Sequence, residues 1–327
     1  MVLELLCGYM TTQCLYVVVQ LCIADYIVAE EKTIDELARL TNCNADALYR
    51  VMRCFAYQGV FEEKENKIFQ INDEAKLLVS TNPNTLNHFI CVCSEELYQA
   101  AGSLLQTVQQ GIPAFDYRFK TDFWSYLNNN PVKSKLFSDA MENGFNNTLS
   151  EILNSYDFTT AKKIIDVGGG KGHLLCSILK NNIDADGVVY DLSYLESQAN
   201  DCILKSNLSS RCQFIKGDFF QTIPKNGDLY LLRVILHDWD DQKAIIILKN
   251  CRKAIFPTGK LIIIEKVMIN GEHQLSTYFG DINMLVALTG KERSVKEYET
   301  LLNKSGFQLK QCISTKTAYS IIEAIPS

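Results

Sequence analysis

From Lys162 onward, short apolar runs alternate with longer amphipathic stretches. Each run has the length of a buried strand, and each stretch between them is long enough for a helix. Alternating strands and helices form a parallel sheet with helices on both faces, so this half predicts an α/β, doubly wound fold. The predicted parallel strands lie at 163–167, 187–192, 212–216, 229–236 and 260–267. Two more runs, at 308–314 and 318–324, lie close together and predict an antiparallel edge hairpin.

Residues 3–30 are apolar at most positions and predict helix. A helix that is apolar nearly all round must be covered, and a second subunit is a plausible cover. Within it, the stretch 15–29 contains Gln20 and Asp25 and is too short to span a bilayer. It has neither a basic leader nor a small-residue cleavage site, so we expect a buried helix rather than a membrane anchor or a signal peptide.

The next segment has the order of a winged helix. Thr33 with Glu36 forms a capping box that opens one helix, and Asn44 caps the next. The predicted elements are helices at 34–40 and 45–57 and strands at 60–61 and 68–71. Residues 85–155 predict further helices with breaks near 111–113 and 128–131. We therefore expect an N-terminal helical domain, 1–155, and a C-terminal α/β domain, 156–327.

A winged helix raises the alternative of DNA binding, in which its second helix would read the major groove. That helix offers Arg50 and Arg53 but also Asp46. The wing is acidic, with Glu62, Glu63 and Glu65. Because phosphate contacts dominate DNA affinity and the chain has a net charge of -6, we expect no nucleic-acid partner. A structural or dimerisation role fits the module better.

Composition narrows the class further. Apolar residues make up 47% of the chain and charged residues 21%, which is typical of a soluble globular protein. The closest cysteines are Cys91 and Cys93, and with His88 they still lack the ligands of a metal site. Twelve scattered cysteines in a chain of 327 residues indicate reduced thiols in the cytoplasm. We expect no metal.

A glycine-rich turn follows the first predicted strand of the α/β domain. The strand ends at Asp166, and Gly168, Gly170 and Gly172 lead into a helix. Glycine lets the backbone turn tightly and approach a ligand closely. The spacing is GxGxG rather than the GxGxxG of dinucleotide sites, and Lys171 is not followed by the serine or threonine of a phosphate loop. The turn therefore predicts a cofactor other than a dinucleotide or a nucleoside triphosphate.

Three acidic residues end three successive strands. Asp166 suits a ligand with an ammonium group, and Asp191 can accept hydrogen bonds from ribose hydroxyls. Asp218 can accept from an adenine amino group while Phe219 packs on the ring. The alternative is that each acid only caps the helix that follows it. Three acids at successive strand ends favour a phosphate-free nucleoside with an amino-acid tail, which is S-adenosylmethionine.

The fourth strand leads into His237, at the edge of the sheet where open parallel sheets bind ligands. Histidine titrates near neutrality and suits removal of a proton from a phenol or an enol. A lone histidine near a strand end is more often structural, but this position favours a general base.

Four motifs together resemble one family. They are Asp-Val-Gly-Gly-Gly-x-Gly at 166–172, Gly-Asp-Phe-Phe at 217–220, His-Asp-Trp-x-Asp at 237–241 and Gly-Lys-Glu-Arg at 290–293. The sequence is similar to the small-molecule O-methyltransferases, which include caffeate, flavonoid and acetylserotonin enzymes and bacterial natural-product enzymes. The resemblance covers nearly the whole chain. It implies a Rossmann-like class I methyltransferase fold, S-adenosylmethionine as cofactor with S-adenosylhomocysteine as product, and a homodimer formed through interleaved N-terminal helices.

The resemblance also assigns roles by position. It implies that His237 is the general base and that Glu265 and Glu292 orient it. It places Gly168, Asp191, Asp218, Phe219 and Arg233 against the cofactor, although the last position is often lysine in the family. It places Phe137, Met141, Asn283 and Met284 in the acceptor pocket.

These roles lead us to expect methylation of a hydroxyl on a small-molecule, secondary-metabolite acceptor. Carbon or nitrogen methylation is an alternative, since an enolate carbon needs the same base. A second alternative is an enzyme of the same fold that binds the cofactor but catalyses pericyclic, decarboxylation or hydroxylation chemistry. The sequence does not identify the acceptor.

Overall fold

The computed structural model of the protein describes residues 2–269 and 275–327, with the side chains of all of these except residues 4 and 145–147. The chain forms two compact units. The first comprises Met1–Gln99 and Trp124–Asn147, and the second comprises Ala100–Phe123 and Thr148–Ser327. The domain boundary predicted between residues 155 and 156 stays a prediction. The observed units differ from it in that residues 100–123 and 148–155 belong to the second unit.

The first unit is mainly helical. Its elements up to residue 101 are α1 (Val2–Leu6), α2 (Gly8–Gln20), α3 (Ile23–Ile27), β1 (Lys32–Thr33), α4 (Ile34–Thr41), α5 (Ala45–Tyr57), β2 (Phe61–Lys64), β3 (Ile68–Ile71), α6 (Asp73–Lys76), α7 (Asn87–Ser94) and α8 (Glu96–Ala101), which ends just beyond the unit. The helices that follow are α9 (Leu104–Gln110), α10 (Ala114–Phe119), α11 (Phe123–Asn129) and α12 (Pro131–Ser155). The strands pair antiparallel in the order β1-β3-β2.

Local sequence signals explain the winged-helix segment. The Thr33 side chain accepts from the Glu36 N–H while Glu36 accepts from the Thr33 N–H, so the predicted capping box is confirmed. The Asn44 side chain caps α5 at the Ala47 N–H, at a distance of 2.9 Å. The strand pair also forms where it was predicted. The winged-helix prediction is confirmed, with β1 added as a third strand.

The prediction of one helix over residues 3–30 was wrong in detail. Three helices occupy the segment, and Cys22 between the last two adopts a left-handed conformation with a φ of 52°. Val18, Ile23 and Ile27 are buried in the core of this unit. By contrast, the apolar side chains of α1 are exposed, Leu3 at 77% and Leu6 at 68%. Only the second part of the apolar run is covered by the protein's own core.

The second unit is the predicted doubly wound α/β fold. Its elements from residue 163 are β4 (Lys163–Val167), α13 (His173–Asn181), β5 (Asp186–Asp191), α14 (Glu196–Lys205), β6 (Cys212–Lys216), β7 (Leu229–Arg233), α15 (Asp241–Ala254), β8 (Lys260–Met268), α16 (Leu275–Ala287), β9 (Arg293–Ser294), α17 (Val295–Lys304), β10 (Phe307–Ser314) and β11 (Tyr319–Pro326). The main sheet has the order β10-β11-β8-β7-β4-β5-β6. Strands β4 to β8 are parallel, while β10 and β11 are antiparallel, as predicted.

This topology places a ligand site at β4. Strand β4 pairs with β5 on one side and with β7 on the other, so the strand order reverses there. Ligands of open α/β sheets bind at such a switch point, outside the carboxyl ends of the strands. Buried apolar residues of β4, β7 and β8 form one core with those of α15 and α17, so the strands that lead to the site are packed in the core. Among residues 2–269 and 275–327, we find no helix with the length and apolar character needed to cross a bilayer.

Strand β7 is shorter than the predicted strand at 229–236. It ends at Arg233 because Val234 adopts a φ of 54°, in the left-handed region that β-branched residues avoid. A short 3₁₀ turn, Leu236–Asp238, then carries His237 away from the sheet. The correction places His237 on a turn above the sheet rather than at the end of a strand.

Candidate active site

The glycine-rich turn leads directly from β4 into α13. Gly168, Gly170 and Gly172 all have positive φ angles, between 58° and 83°. A Cβ on Gly168 would lie 2.4 Å from Cδ1 of Ile235, and a Cβ on Gly172 would lie 2.7 Å from Cγ2 of Val189. Both the conformation and the space therefore require glycine at these two ends of the turn.

The three acids at the strand ends differ in the hydrogen bonds that their carboxylates accept. Asp191 accepts the N–H of Gly170 at 2.8 Å and the N–H of Leu192 at 2.7 Å, so it supports the turn itself. Asp218 accepts the N–H of Phe220 at 2.8 Å. Local capping therefore accounts for part of what these two acids do, as the alternative reading held.

Asp166 is different, because it is buried and its Oδ2 has no hydrogen-bond partner among the described residues. Burial raises the pKa of Asp166 to about 7, with the neighbouring Arg233 opposing and Asp191 adding to the rise. A buried carboxylate oxygen without a donor fits a ligand that brings an ammonium group. The turn and acids thus fit an amino-acid tail next to a nucleoside.

Phe219 and Arg233 also lie at this turn. The Phe219 ring packs edge-on against Phe220 and Trp239, with its Cε1 3.7 Å from the position of a Cβ on Gly168. Arg233 interacts electrostatically with Asp166, and its own pKa is lowered by burial. Both residues therefore border the glycine turn, although their contacts with a cofactor stay predictions.

His237 lies among carboxylates. Its Nδ1 is 3.0 Å from Oε1 of Glu292, and its Nε2 is 3.2 Å from Oδ1 of Asp238. Burial alone would lower the pKa of His237, but the charges of Glu265, Asp238 and Glu292 outweigh burial and raise it to about 10. Burial also raises the pKa of Asp238 to about 6. The imidazole therefore binds its proton tightly, and each of its ring nitrogens already lies next to a carboxylate oxygen.

Glu265 acts on the ring through its charge, the largest of those that raise the pKa of His237, and not through a hydrogen bond. Its Oε1 accepts the main-chain N–H groups of Ile235, Leu236 and His237 at 3.0, 2.9 and 3.4 Å. Its Oε2 lies 4.0 Å from Nδ1 of His237, beyond hydrogen-bond distance. Burial raises the pKa of Glu265 to about 7. In this structure Glu265 holds the backbone of the turn, and Glu292 holds the ring.

Two residues near His237 were not among the predicted site residues. Asp238 follows it directly in the His-Asp-Trp motif, and Arg293 follows Glu292 in the Gly-Lys-Glu-Arg motif. Motif membership was the only available signal, because the sequence does not show that Arg293 is fully buried or that Asp238 faces the ring.

The four predicted acceptor residues fall in different units. Phe137 and Met141 lie on the part of α12 that belongs to the first unit, where the Phe137 ring packs edge-on against Trp124. Asn283 and Met284 lie on α16 in the second unit. One turn earlier on α16, a Cβ on Gly280 would lie 3.0 Å from Oε1 of Glu292. Helix α16 therefore passes close to the His237 cluster, while the acceptor role of all four residues stays a prediction.

The cluster also has the geometry of metal ligands. One ligand atom from each of His237, Glu265 and Glu292 can be chosen so that all lie within 4.8 Å of one another. The hydrogen bond between His237 and Glu292 already uses two of these atoms. The expectation of no metal stays a prediction.

Comparison with known proteins assigns the family. An O-methyltransferase dimerisation domain matches residues 3–81, and an O-methyltransferase domain matches residues 102–308. The phenazine O-methyltransferase of Lysobacter antibioticus is 38% identical over 99% of this chain and 95% of its own. The phenazine-1-carboxylate N-methyltransferase of Pseudomonas aeruginosa is 27% identical over 95% of this chain and 92% of its own.

A solved structure gives the same result. An O-methyltransferase from neocarzinostatin biosynthesis, in complex with S-adenosylmethionine and 2-hydroxy-5-methyl naphthoic acid, is 28% identical with a TM-score of 0.84. The match covers 97% of this chain and 96% of that one. The chain belongs to the O-methyltransferase family. It is a methyltransferase, and its cofactor is S-adenosylmethionine.

Proposed function

We propose that this enzyme methylates a hydroxyl oxygen, phenolic or enolic, of a small secondary-metabolite acceptor, with His237 as the general base. The observation that supports it best is the position of the His237 imidazole. Glu292 holds the ring through Nδ1, and His237 is only two residues from Ile235, whose side chain packs on the glycine turn. An acceptor hydroxyl would take the place of Asp238 at Nε2. A similar enzyme has been solved in complex with 2-hydroxy-5-methyl naphthoic acid, an aromatic compound that carries a hydroxyl group.

The glycine turn and the acids beside it also suggest which residues bind each part of the cofactor. We propose that Asp166 takes the ammonium group, Asp191 the ribose hydroxyls, and Asp218 with Phe219 the adenine, while Gly168, Gly170 and Gly172 let the backbone come close. The positive charge of Arg233 offsets the charges of the buried Asp166 and Glu265. Bound there, S-adenosylmethionine supplies a methyl group already activated by its sulfonium sulfur.

The protein's remaining task is to remove a proton. A phenol loses its proton with a pKa near 10, as tyrosine does, and the pKa of His237 is raised to about the same value. Proton sharing between partners of matched pKa costs little free energy, so the acceptor oxygen gains negative charge in complexes in which His237 is neutral, and the fraction of these complexes grows as the pH rises toward 10. Glu292 and Glu265 stabilise the imidazolium that forms.

Replacement of His237 by alanine tests the base. General-base help is worth about 10² to 10⁴-fold, so turnover should fall at least about 10²-fold while cofactor affinity, measured by calorimetry, stays the same. The assay is methyl transfer from deuterated cofactor to a panel of hydroxylated aromatic acids, read by mass spectrometry. Turnover close to wild type would show that the base is wrongly assigned.

Nitrogen methylation is the second candidate, because a similar enzyme of Pseudomonas aeruginosa is named as an N-methyltransferase. A nitrogen lone pair needs no base, so an N-methylating enzyme would tolerate the alanine replacement. The non-methylating alternative is separated by the product, since methyl transfer releases one S-adenosylhomocysteine per turnover.

We also propose that the enzyme is a cytoplasmic homodimer. The dimerisation-domain match at residues 3–81 and the exposed leucines of α1 support self-association. All twelve cysteines are free thiols, which suits a reducing compartment. Light scattering on the purified protein measures the oligomeric state, and cell fractionation locates it.

A further inference from the structure

Arg293 has an environment that its motif does not explain. Its guanidinium is fully buried on strand β9 and makes four hydrogen bonds. Nη1 donates to the carbonyl of Leu236 at 2.7 Å, and Nη2 donates to the carbonyl of Trp239 at 2.7 Å. Nε and Nη2 also donate to Oδ1 of Asp241, at 3.0 and 2.8 Å. The two carbonyls lie on either side of His237, so one side chain spans the turn that carries it.

The opposite side of the same turn is held by Glu265, which accepts the N–H groups of residues 235–237. Glu265 thus binds the N–H groups and Arg293 binds the carbonyls. Gly290 completes the support, since a Cβ there would lie 1.8 Å from the carbonyl oxygen of His237. The turn is therefore held on both sides by buried polar groups rather than by apolar packing alone.

The turn needs this support because the residue that leads into it from β7, Val234, has an unfavourable backbone conformation. Val234 has a φ of 54°, and a β-branched residue in that conformation persists only when its surroundings enforce it. Strand β9 is aligned to do so, since Arg293 pairs with Val267 on β8, two residues after Glu265. The pairing of β8 with β9 therefore brings Glu265, Arg293 and the preceding residue, Glu292, to the turn together.

We infer that Arg293 is a positioning residue that holds the 236–239 turn so that the His237 ring stays against Glu292. Its effect on catalysis rests on the proposed role of His237, but its effect on the ring does not. Lysine cannot replace it, because a single ammonium cannot span two carbonyls and a carboxylate as a planar fork does.

The test compares Arg293→Lys and Arg293→Gln with a matched control. Arg211 also binds three main-chain carbonyls, those of Leu179, Asn182 and Ala185, at the other end of β5 from Asp191. Arg211→Gln removes a similar carbonyl-binding arginine outside the His237 turn. Thermal unfolding of all three variants reports how much of any effect is general loss of stability.

The readout is the titration of His237 by NMR. The chain has only four histidines, so the His237 signal can be assigned from a His237→Asn variant. The charged groups that act on the ring itself are Asp238, Glu265 and Glu292. Arg233, Tyr298 and Tyr319 act on Glu265 or Glu292, and Arg293 acts on Tyr298. If Arg293→Gln removed only a positive charge, the pKa of His237 would rise further; if the ring leaves its carboxylates, the pKa falls toward 6.5. The sign therefore separates repositioning from simple electrostatics.

We expect the His237 pKa to fall in both Arg293 variants and to stay unchanged in Arg211→Gln. We also expect kcat to fall about 10²-fold, the usual result of a misplaced catalytic group, while cofactor affinity stays within about threefold. An unchanged or raised His237 pKa in Arg293→Lys would overturn the inference, with or without loss of turnover. If Arg293→Gln does not fold, Arg293→Lys and Asp241→Asn carry the same test.

The outcomes also separate this inference from the proposed function. If His237→Ala retains turnover but the Arg293 variants still lower the His237 pKa, the positioning holds and the general-base role fails. If His237→Ala loses turnover and the Arg293 variants leave the titration unchanged, the base stands and the positioning role fails.

Discussion

Replacing Glu292 with glutamine tests the site most directly. The change keeps the shape of the side chain but removes the charge that lies 3.0 Å from Nδ1 of His237. A hydrogen bond to a charged group is worth about 1.5–3 kcal/mol, and one pH unit of pKa corresponds to about 1.4 kcal/mol. We therefore expect the pKa of His237, raised to about 10 in the wild type, to fall by about one to two pH units. Glu265 and Asp238 remain, so it should stay above 6.5.

The consequence appears in the pH dependence of kcat/KM. The reactive complex holds one proton between His237 and the acceptor hydroxyl, whereas below both pKa values the pair holds two protons. The rate should therefore rise about tenfold per pH unit until it reaches the lower pKa of the pair. For a phenolic acceptor this bend should lie near pH 10 in the wild type and near pH 8–9 in Glu292→Gln, with a lower plateau because the base is weaker.

The assay measures initial rates from pH 6 to 10.5 at constant ionic strength and saturating cofactor. Glu297→Gln is the matched control, because Glu297 lies in the same segment but pairs with Lys291 and caps α17 at Ser294. The control should leave the bend in place. A bend that does not move in Glu292→Gln would show that the hydrogen bond to Nδ1 does not govern the proton transfer.

Three further results follow from the structure. Asp166→Asn should weaken cofactor binding by about 10- to 100-fold in calorimetry, the worth of a charged hydrogen bond; wild-type affinity should increase as the pH rises through about 7, because the raised pKa leaves Asp166 protonated below it. Gly168→Ala should lower stability by about 1–3 kcal/mol in urea unfolding and abolish cofactor binding, since its Cβ would meet Ile235 at 2.4 Å. Leu3→Glu with Leu6→Glu should convert the proposed homodimer into monomers in light scattering, and an unchanged mass would place the interface elsewhere.

Local signals in the sequence were sufficient for much of the fold. The Thr33 and Asn44 caps act within three residues, so they could be identified without any knowledge of the rest of the chain. Strands such as Lys163–Val167 are continuous apolar runs because both of their faces are buried in a parallel sheet. Two strands, β1 and β9, were not predicted, because no local signal marks them. Each is two residues long and is defined only by its pairing with a neighbouring strand.

The site divides in the same way. By itself the sequence determined the glycine-rich turn and its three acids, since each acid lies within two residues of the end of its strand and the carboxyl ends of parallel strands meet at one edge. Only the tertiary structure decided that Val234 ends its strand in a left-handed conformation and that Glu265 holds main-chain N–H groups instead of the ring. Glu265 and Glu292 lie 28 and 55 residues from His237 along the chain. Which atoms they meet depends on backbone conformation and on strand pairing between β8 and β9, and neither leaves a pattern in the residues themselves.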